Sequence, residues 1–345
     1  MYKRQLLNSE QKEAIENIQG PLLIIAGAGS GKTRVLTYRY AHLIKTYGIN
    51  FENILAITFT NKAANEMKER ISQLLNLELS PKWISTFHSL CVKMLRIHGH
   101  HIGFNNNFTI YDQSDSTKLI RNCMKDSDID TKQYSPKRIQ AHISSLKNQR
   151  ILPGEAIEFA QSFFDVKVAE VYSSYQKKLM LANSMDFDDL LVKAVELLET
   201  SDKSLDYWSS KFKYIMIDEY QDTNMVQYRL VELLASKYKN ICVVGDSDQS
   251  IYAFRGADIR NIQEFENDFR NAKVISLEKN YRSSQKILDI ANAVISNNPR
   301  NKEKKLWTEN EVGLEVNLIE VNSERDESKW LAEEINKLLN QNEYS

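Results

Sequence analysis

Ala26-Gly27-Ala28-Gly29-Ser30-Gly31-Lys32-Thr33 gathers three glycines, an ammonium and a hydroxyl in one short run. Glycines let a loop wrap its N–H groups round phosphate oxygens, Lys32 supplies positive charge to the β and γ phosphates, and Thr33 can ligate Mg²⁺. The strict phosphate-loop pattern has glycine where Ala26 stands, a departure that needs only backbone angles open to alanine. A second group, Ile217-Asp218-Glu219-Tyr220-Gln221-Asp222, closes an apolar run with adjacent carboxylates. Two such groups can divide labour, Asp218 holding Mg²⁺ through water and Glu219 orienting and deprotonating an attacking water. Together the groups predict hydrolysis of ATP with Mg²⁺ rather than transfer to a second substrate.

These side chains must be carried to one place by the elements around them. Leu22–Ala26, Ile54–Phe59, Tyr214–Ile217, Ile241–Gly245 and Val274–Leu277 are short, continuous and rich in Ile, Val and Leu, which predicts buried strands of a parallel sheet. Amphipathic stretches at Lys62–Leu75, Met225–Ser236 and Gln285–Ile295 complete a βαβ rhythm, so the expected class is α/β with the nucleotide at the carboxyl ends of the strands. The rhythm breaks over Phe104–Met185, a mostly helical stretch punctuated by Pro136 and Pro153. We expect one discontinuous ATPase domain over 1–103 and 186–277, a helical insertion over 104–185, and an incomplete start of a second α/β domain over 278–345. In that last part a strand is expected at Glu315–Val321 and a helix around Ser328–Leu339.

Composition narrows the setting. The 345 residues are 42% hydrophobic and 26% charged, ordinary for a folded globular chain. A formal net charge of -1 offers no global attraction to nucleic acid, so any grip on phosphates must come from local basic clusters. Cys91, Cys123 and Cys242 lie far apart without a CxxC pair, which fits a reducing cytoplasm. The early apolar run Leu22–Ala26 is too short to span a bilayer and no charged leader precedes it, so secretion and membrane insertion are not expected. His98, His100 and His101 have no second ligand cluster at metal spacing and are expected in a solvated turn.

Gln11 in LNSEQKEAI, AGAGSGKT at 26–33, TFTNKAANEMKER at 58–70, STFHSL at 85–90, DFDDL at 186–190, IDEYQDTN at 217–224, VVGDSDQSIYAFRGAD at 243–258 and LEKNYRSS at 277–284 follow one another along the chain. In order and spacing this series resembles the motif set of superfamily 1 DNA helicases of the UvrD/PcrA/Rep type, with IDEYQDTN and QSIY most similar to the PcrA branch. The resemblance implies a RecA-like ATPase fold, adenine recognition by Gln11 with the base between Arg34 and Tyr281, and sensing of the γ-phosphate by Gln249 and Arg282. A cation over an aromatic face and a guanidinium fork on a phosphoryl group suit those roles. It further implies that Phe59, Tyr252 and Phe254 stack on bases of single-stranded DNA while Asn61, Lys62, His88 and Arg255 contact its backbone. Stacking tolerates any base, as a translocating motor requires. Phe254 departs from the tryptophan common in relatives, which implies a weaker grip.

A 3′ to 5′ translocase acting at a single-strand and duplex junction, with protein partners in repair or replication, is the expected whole. The family's later motifs, including a second-domain arginine, have no counterpart before Ser345. The expectation is therefore that this chain binds nucleotide, hydrolyses it poorly and does not unwind DNA alone, since arginine fingers contribute ~10³–10⁵ in rate. A phosphotransferase, a recombination helicase of the RecB or AddA type, and a DNA-binding fragment without catalysis stay open at this point.

Overall fold

The apolar runs pair side by side. The computed structural model describes residues 7–76, 81–298 and 304–340. Its strands are β1 (Leu22–Ala26), β2 (Ile54–Thr58), β3 (Ile84–Thr86), β4 (Thr109–Ile110), β5 (Ser184–Met185), β6 (Tyr214–Ile217), β7 (Ile241–Gly245) and β8 (Lys273–Leu277). A six-stranded parallel sheet forms in the order β3-β2-β6-β7-β1-β8, while β4 and β5 pair only with each other. Because β1 lies between β7 and β8 and β6 lies beside β7, the segments leaving β1, β6 and β7 emerge at neighbouring points on one edge. Parallel strands present their carboxyl ends together, and that places the site.

Strand side chains alternate between faces. Leu22, Ile24, Ile54, Ala56, Met216 and Val244 meet helices α1 (Ser9–Glu16), α2 (Lys32–Tyr47) and α3 (Asn61–Leu75) in one apolar cluster. Leu23, Leu55, Ile57, Ile215, Ile217 and Val243 face the other way, where α4 (Phe87–His98) packs. At the end of α4, His98 Nδ1 accepts a bond from Trp208 Nε1 at 3.0 Å, so this histidine braces a buried indole while His100 and His101 are exposed. The chain then leaves the sheet through β4. Helices α5 (Gln113–Asp126), α6 (Pro136–Asn148) and α7 (Phe163–Leu181) enclose their own cluster, including Ile120, Ile139, Ile143, Val168 and Tyr172. The chain returns through β5, which pairs with β4 at Thr109–Ser184 and Ile110–Met185. Helices α8 (Phe187–Thr200), α9 (Asp202–Lys211) and α10 (Met225–Ala235) then complete the layer begun by α4.

Where the helical segment meets α8, a charged cluster is buried. Asp186 caps α8 and Asp189 returns a bond to its N–H, a reciprocal capping box. Lys147 of α6 lies 2.7 Å from Asp186 and 2.8 Å from Asp189, and Tyr175 of α7 donates to Asp186 at 2.8 Å. Burial opposes the charge on Lys147, but Asp189 and Asp186 outweigh it and hold the ammonium above its ordinary range. Asp189 is pushed up to about 6 by burial and by Asp186, against the pull of Lys147.

Beyond α10 come the single-turn helices α11 (Arg260–Gln263) and α12 (Phe265–Asp268), then β8, α13 (Gln285–Ile295) and α14 (Glu324–Asn340). The strand expected at Glu315–Val321 does not form: residues 314–321 have no regular secondary structure, and Leu318 and its neighbours are exposed. A β-prone run becomes a strand only beside a ladder partner, and among the described residues nothing pairs with this one. Conversely β3 is a sheet strand that no apolar run announced; the last of its three residues, Thr86, is also the N-cap of α4. No helix among the described residues is long and apolar enough to cross a membrane.

Candidate nucleotide and nucleic-acid site

The phosphate loop is shaped by contacts from both sides. Ala26 ends β1 beside Leu277, and Gly27 N–H donates to the Leu277 carbonyl at 3.4 Å. Ser30 Oγ donates to the Gly27 carbonyl at 2.8 Å, Asn280 Nδ2 to the Ala28 carbonyl at 2.6 Å, and Tyr281 N–H to the Gly29 carbonyl at 2.9 Å. Gly29 has φ +70°, and a Cβ there would lie 2.6 Å from Asn280 Nδ2 and 2.8 Å from Arg282 Cβ, so only glycine fits. Gly31 starts α2 without a side-chain cap, leaving the helix's first N–H groups to face an anion. Gln11 is fully buried beneath the loop: its Nε2 donates to the Ser30 carbonyl at 2.9 Å and its Oε1 accepts from Asn8 N–H at 3.2 Å. In this geometry it braces the loop from behind.

Residues remote in sequence converge here. Lys32 Nζ donates to Glu219 Oε2 at 2.9 Å and to Gln249 Oε1 at 3.4 Å, and Thr33 Oγ1 donates to Asp218 Oδ2 at 3.1 Å. Lys32, Arg34, Glu219, Gln249, Tyr281 and Arg282 line one cavity of about 370 Å³ with Ala28, Gly29, Gly31 and Thr33. Arg34 also stands 5.5 Å over the Tyr38 ring, and Lys279 stands 5.5 Å over Tyr281. Glu219 has φ 50°, a left-handed conformation costing a non-glycine residue ~1–3 kcal/mol. Gln221 Nε2 donates to its carboxylate at 2.9 Å. The strained backbone turns the side chain toward Lys32 instead of along the strand.

Asp218 is pushed up to about 6, by burial first and by Glu219 second, with Lys32 and Thr33 only partly offsetting them. A buried carboxylate short of positive charge beside a threonine hydroxyl is a hard-oxygen donor set of the kind Mg²⁺ takes. The residues present fit that ion.

A run of aromatic rings links the end of β2 to the segment that follows Gln249. Phe59, after β2, lies 5.1 Å from Tyr252, and Tyr252 lies 5.9 Å from Phe254, with interplanar angles of 38° and 32°. Phe254 is 78% exposed and Tyr252 and Phe59 are half-buried, so the rings present faces rather than fill a core. Asn61 and Lys62 are exposed at the start of α3. His88, in the first turn of α4, is lowered below the usual histidine range by burial and is therefore neutral near pH 7, able to hydrogen-bond but not to pair as a cation. The side chain of Arg255 lies outside the described residues.

Three further side chains belong with these, unassigned by sequence reasoning. Phe187 is 56% exposed with its ring 5.9 Å from His88. An aromatic between two acids in DFDDL was the available signal. Arg70, the last residue of TFTNKAANEMKER, lines the same cavity as Lys32 and Gln249. Asn280 ties the loop to the segment after β8, its Oδ1 accepting from the N–H groups of Arg282 and Ser283 at 2.8 and 2.7 Å. Nothing in its local spacing marked it.

Residues 7–270 match the family model described as the UvrD/REP helicase N-terminal domain, and residues 275–345 match the UvrD-like helicase C-terminal domain. The ATP-dependent DNA helicase PcrA of Staphylococcus epidermidis (strain ATCC 35984) is 50% identical over 331 residues, which is 96% of this chain and 45% of the relative. PcrA of Staphylococcus aureus (strain NCTC 8325) shows the same identity and coverage. The chain thus spans under half the length of these relatives.

Proposed function

This chain belongs to the UvrD/REP helicase family, and from that premise we propose that it forms the ATP-binding and DNA-gripping part of a 3′ to 5′ DNA helicase that couples ATP hydrolysis to movement along a single strand. One observation carries the reading: Lys32, Thr33, Glu219 and Gln249 line one cavity from three strand ends, with Asp218 bonded to Thr33. Lys32 and the loop N–H groups hold the phosphates, Glu219 orients and accepts a proton from the attacking water, and Gln249 and Arg282 contact the γ-phosphate. Arg34 and Tyr281 take the adenine from within the cavity, and Gln11 joins them by giving up its bond to the Ser30 carbonyl. Mg²⁺, held by Thr33 and Asp218, would supply charge neutralisation of the phosphates.

Phe59, Tyr252, Phe254 and Phe187 offer stacking faces to bases, and Asn61, Lys62, His88 and Arg255 contact the strand's backbone. Only two residues separate Gln249 from Tyr252. A change at the γ-phosphate end is therefore delivered directly to the rings, which is how hydrolysis would shift the grip on DNA. We assign residues 104–185 as a helical insertion and 278–345 to a second RecA-like unit. The buried free thiols Cys91, Cys123 and Cys242 accord with a reducing cytoplasm.

The test is nucleotide and oligonucleotide affinity of the chain with and without Mg²⁺, together with ATP turnover in the presence of single-stranded DNA. Binding of both ligands, with Mg²⁺ strengthening the nucleotide, is expected. Failure to bind either would overturn the reading.

A further inference from the structure

The γ-phosphate end of the site is held from outside the phosphate-loop sheet. Asp246, following β7, has a side chain only 3% exposed, and its Oδ2 accepts from Gln249 Nε2 at 2.6 Å. Its Oδ1 accepts from Asp248 N–H at 3.1 Å and from the ammonium of Lys304. Lys304, 7% exposed, also stands 3.3 Å from Asp248 Oδ2. Since the amide nitrogen of Gln249 is committed to Asp246, its oxygen is the atom turned to Lys32. An unbroken chain of polar contacts therefore runs Lys304, Asp246, Gln249, Lys32, Glu219.

Lys304 is itself fixed by a short strap, residues 304–308. Leu306 N–H donates to Asn292 Oδ1 at 3.2 Å and its carbonyl accepts from Asn292 Nδ2 at 2.8 Å, pinning the strap to α13. Trp307 N–H donates to the Glu278 carbonyl at 3.2 Å and its own carbonyl accepts from Asn280 N–H at 2.8 Å. The Leu306 side chain occupies the space that a Cβ on Gly27 would need. The strap thus touches the phosphate loop and the Gln249 segment at once.

We propose that Lys304 is a positioning residue for triphosphate recognition. It neutralises buried Asp246, which then holds the Gln249 amide in register with Lys32 at the γ-phosphate end of the cavity. This rests on the nucleotide-site reading above. Without the ammonium, Asp246 is a buried carboxylate lacking its countercharge; it turns toward water, and the Gln249 amide loses its anchor. A diphosphate does not reach that end of the cavity, so the effect falls on the triphosphate.

Calorimetric affinities for ADP and for a non-hydrolysable ATP analogue, both with Mg²⁺, test this on the chain and on Lys304→Met, Lys304→Arg and the pair Lys304→Met with Asp246→Asn. Lys304→Met should lose about tenfold of the triphosphate preference, the size of one charge-assisted hydrogen bond, with ADP affinity little changed. Lys304→Arg should restore the preference. The double variant, which leaves no lone buried charge and keeps an amide oxygen for Gln249, should recover part of it and carries the test if the single variant unfolds. Hydrogen exchange without nucleotide gives a second readout: the Asp248 and Gln249 amides should exchange faster in Lys304→Met than in the parent or in Lys304→Arg. An unchanged preference, or equal weakening of both nucleotides, overturns the role of Lys304. If the parent chain binds neither nucleotide, the functional reading falls instead, while unaltered exchange at Asp248 and Gln249 independently rejects the strap.

Discussion

The Lys32 ammonium rests 2.9 Å from the Glu219 carboxylate, a residue 187 positions further along the chain. The pair joins the group we assign to phosphate binding to the group we assign to water activation, so each charge is already compensated where a triphosphate and a water would sit.

Lys32→Ala removes the cation from the phosphates while leaving a carboxylate that is 34% exposed and well screened. The cost to stability is small, below ~1 kcal/mol after screening. Affinity for ATP with Mg²⁺ should fall roughly 10- to 100-fold, the weight of a charged hydrogen bond. Titration calorimetry beside thermal unfolding separates the two effects; undiminished nucleotide binding would remove Lys32 from the phosphate site.

Gly29→Ala meets two obstacles at once, a left-handed backbone and contacts with Asn280 and Arg282. The left-handed conformation alone costs ~1–2 kcal/mol for alanine. The loop should shift, and nucleotide affinity should drop while the sheet core, distant from the change, keeps its far-ultraviolet circular dichroism. A variant that bound ATP as well as the parent would show that the observed loop shape is not the binding shape.

Phe254→Ala and Phe187→Ala each delete an exposed ring. Stability should hardly move. Affinity for a single-stranded oligonucleotide should weaken by ~1–3 kcal/mol per ring, measured by fluorescence anisotropy at fixed salt. Loss of folding stability without loss of DNA affinity would instead make these rings packing elements.

Lys147→Met strands Asp186 and Asp189 in the interior without their cation. Breaking such a pair from one side costs ~3–5 kcal/mol. The sign with pH follows from the carboxylates. Asp189 is at about 6 even beside Lys147, and losing the ammonium raises it further above its unfolded value of ~4 and lifts Asp186, which despite burial Lys147 helps hold below the usual carboxylate range. The penalty is thus complete above the folded pKa values and shrinks as pH falls from there toward ~4. Denaturant midpoints of parent and variant should differ less at pH 5 than at pH 8, and a gap independent of pH would contradict the charge argument.

Much of the site was legible in local spacing. Glycines beside Lys32 and paired acids after an apolar run announce their chemistry because each group acts through neighbours a few positions away. Buried strands such as β1 and β7 were legible as continuous apolar runs for the same reason. Phe187, Arg70 and Asn280 were not, since an aromatic between acids, a cation inside a helix or an asparagine after a strand acquires meaning only from what it faces. The expected strand at Glu315–Val321 failed in the opposite sense: its residues favour extension, but extension is not pairing.

By itself the sequence determined the α/β class, the phosphate loop and the acids that would serve it, because those depend on periodicity and on contacts within a few residues. Only the tertiary structure decided that Lys304 meets Asp246 across 58 positions and that Lys147 enters the cap of α8. Such meetings are set by strand order and helix packing, and no local spacing records them.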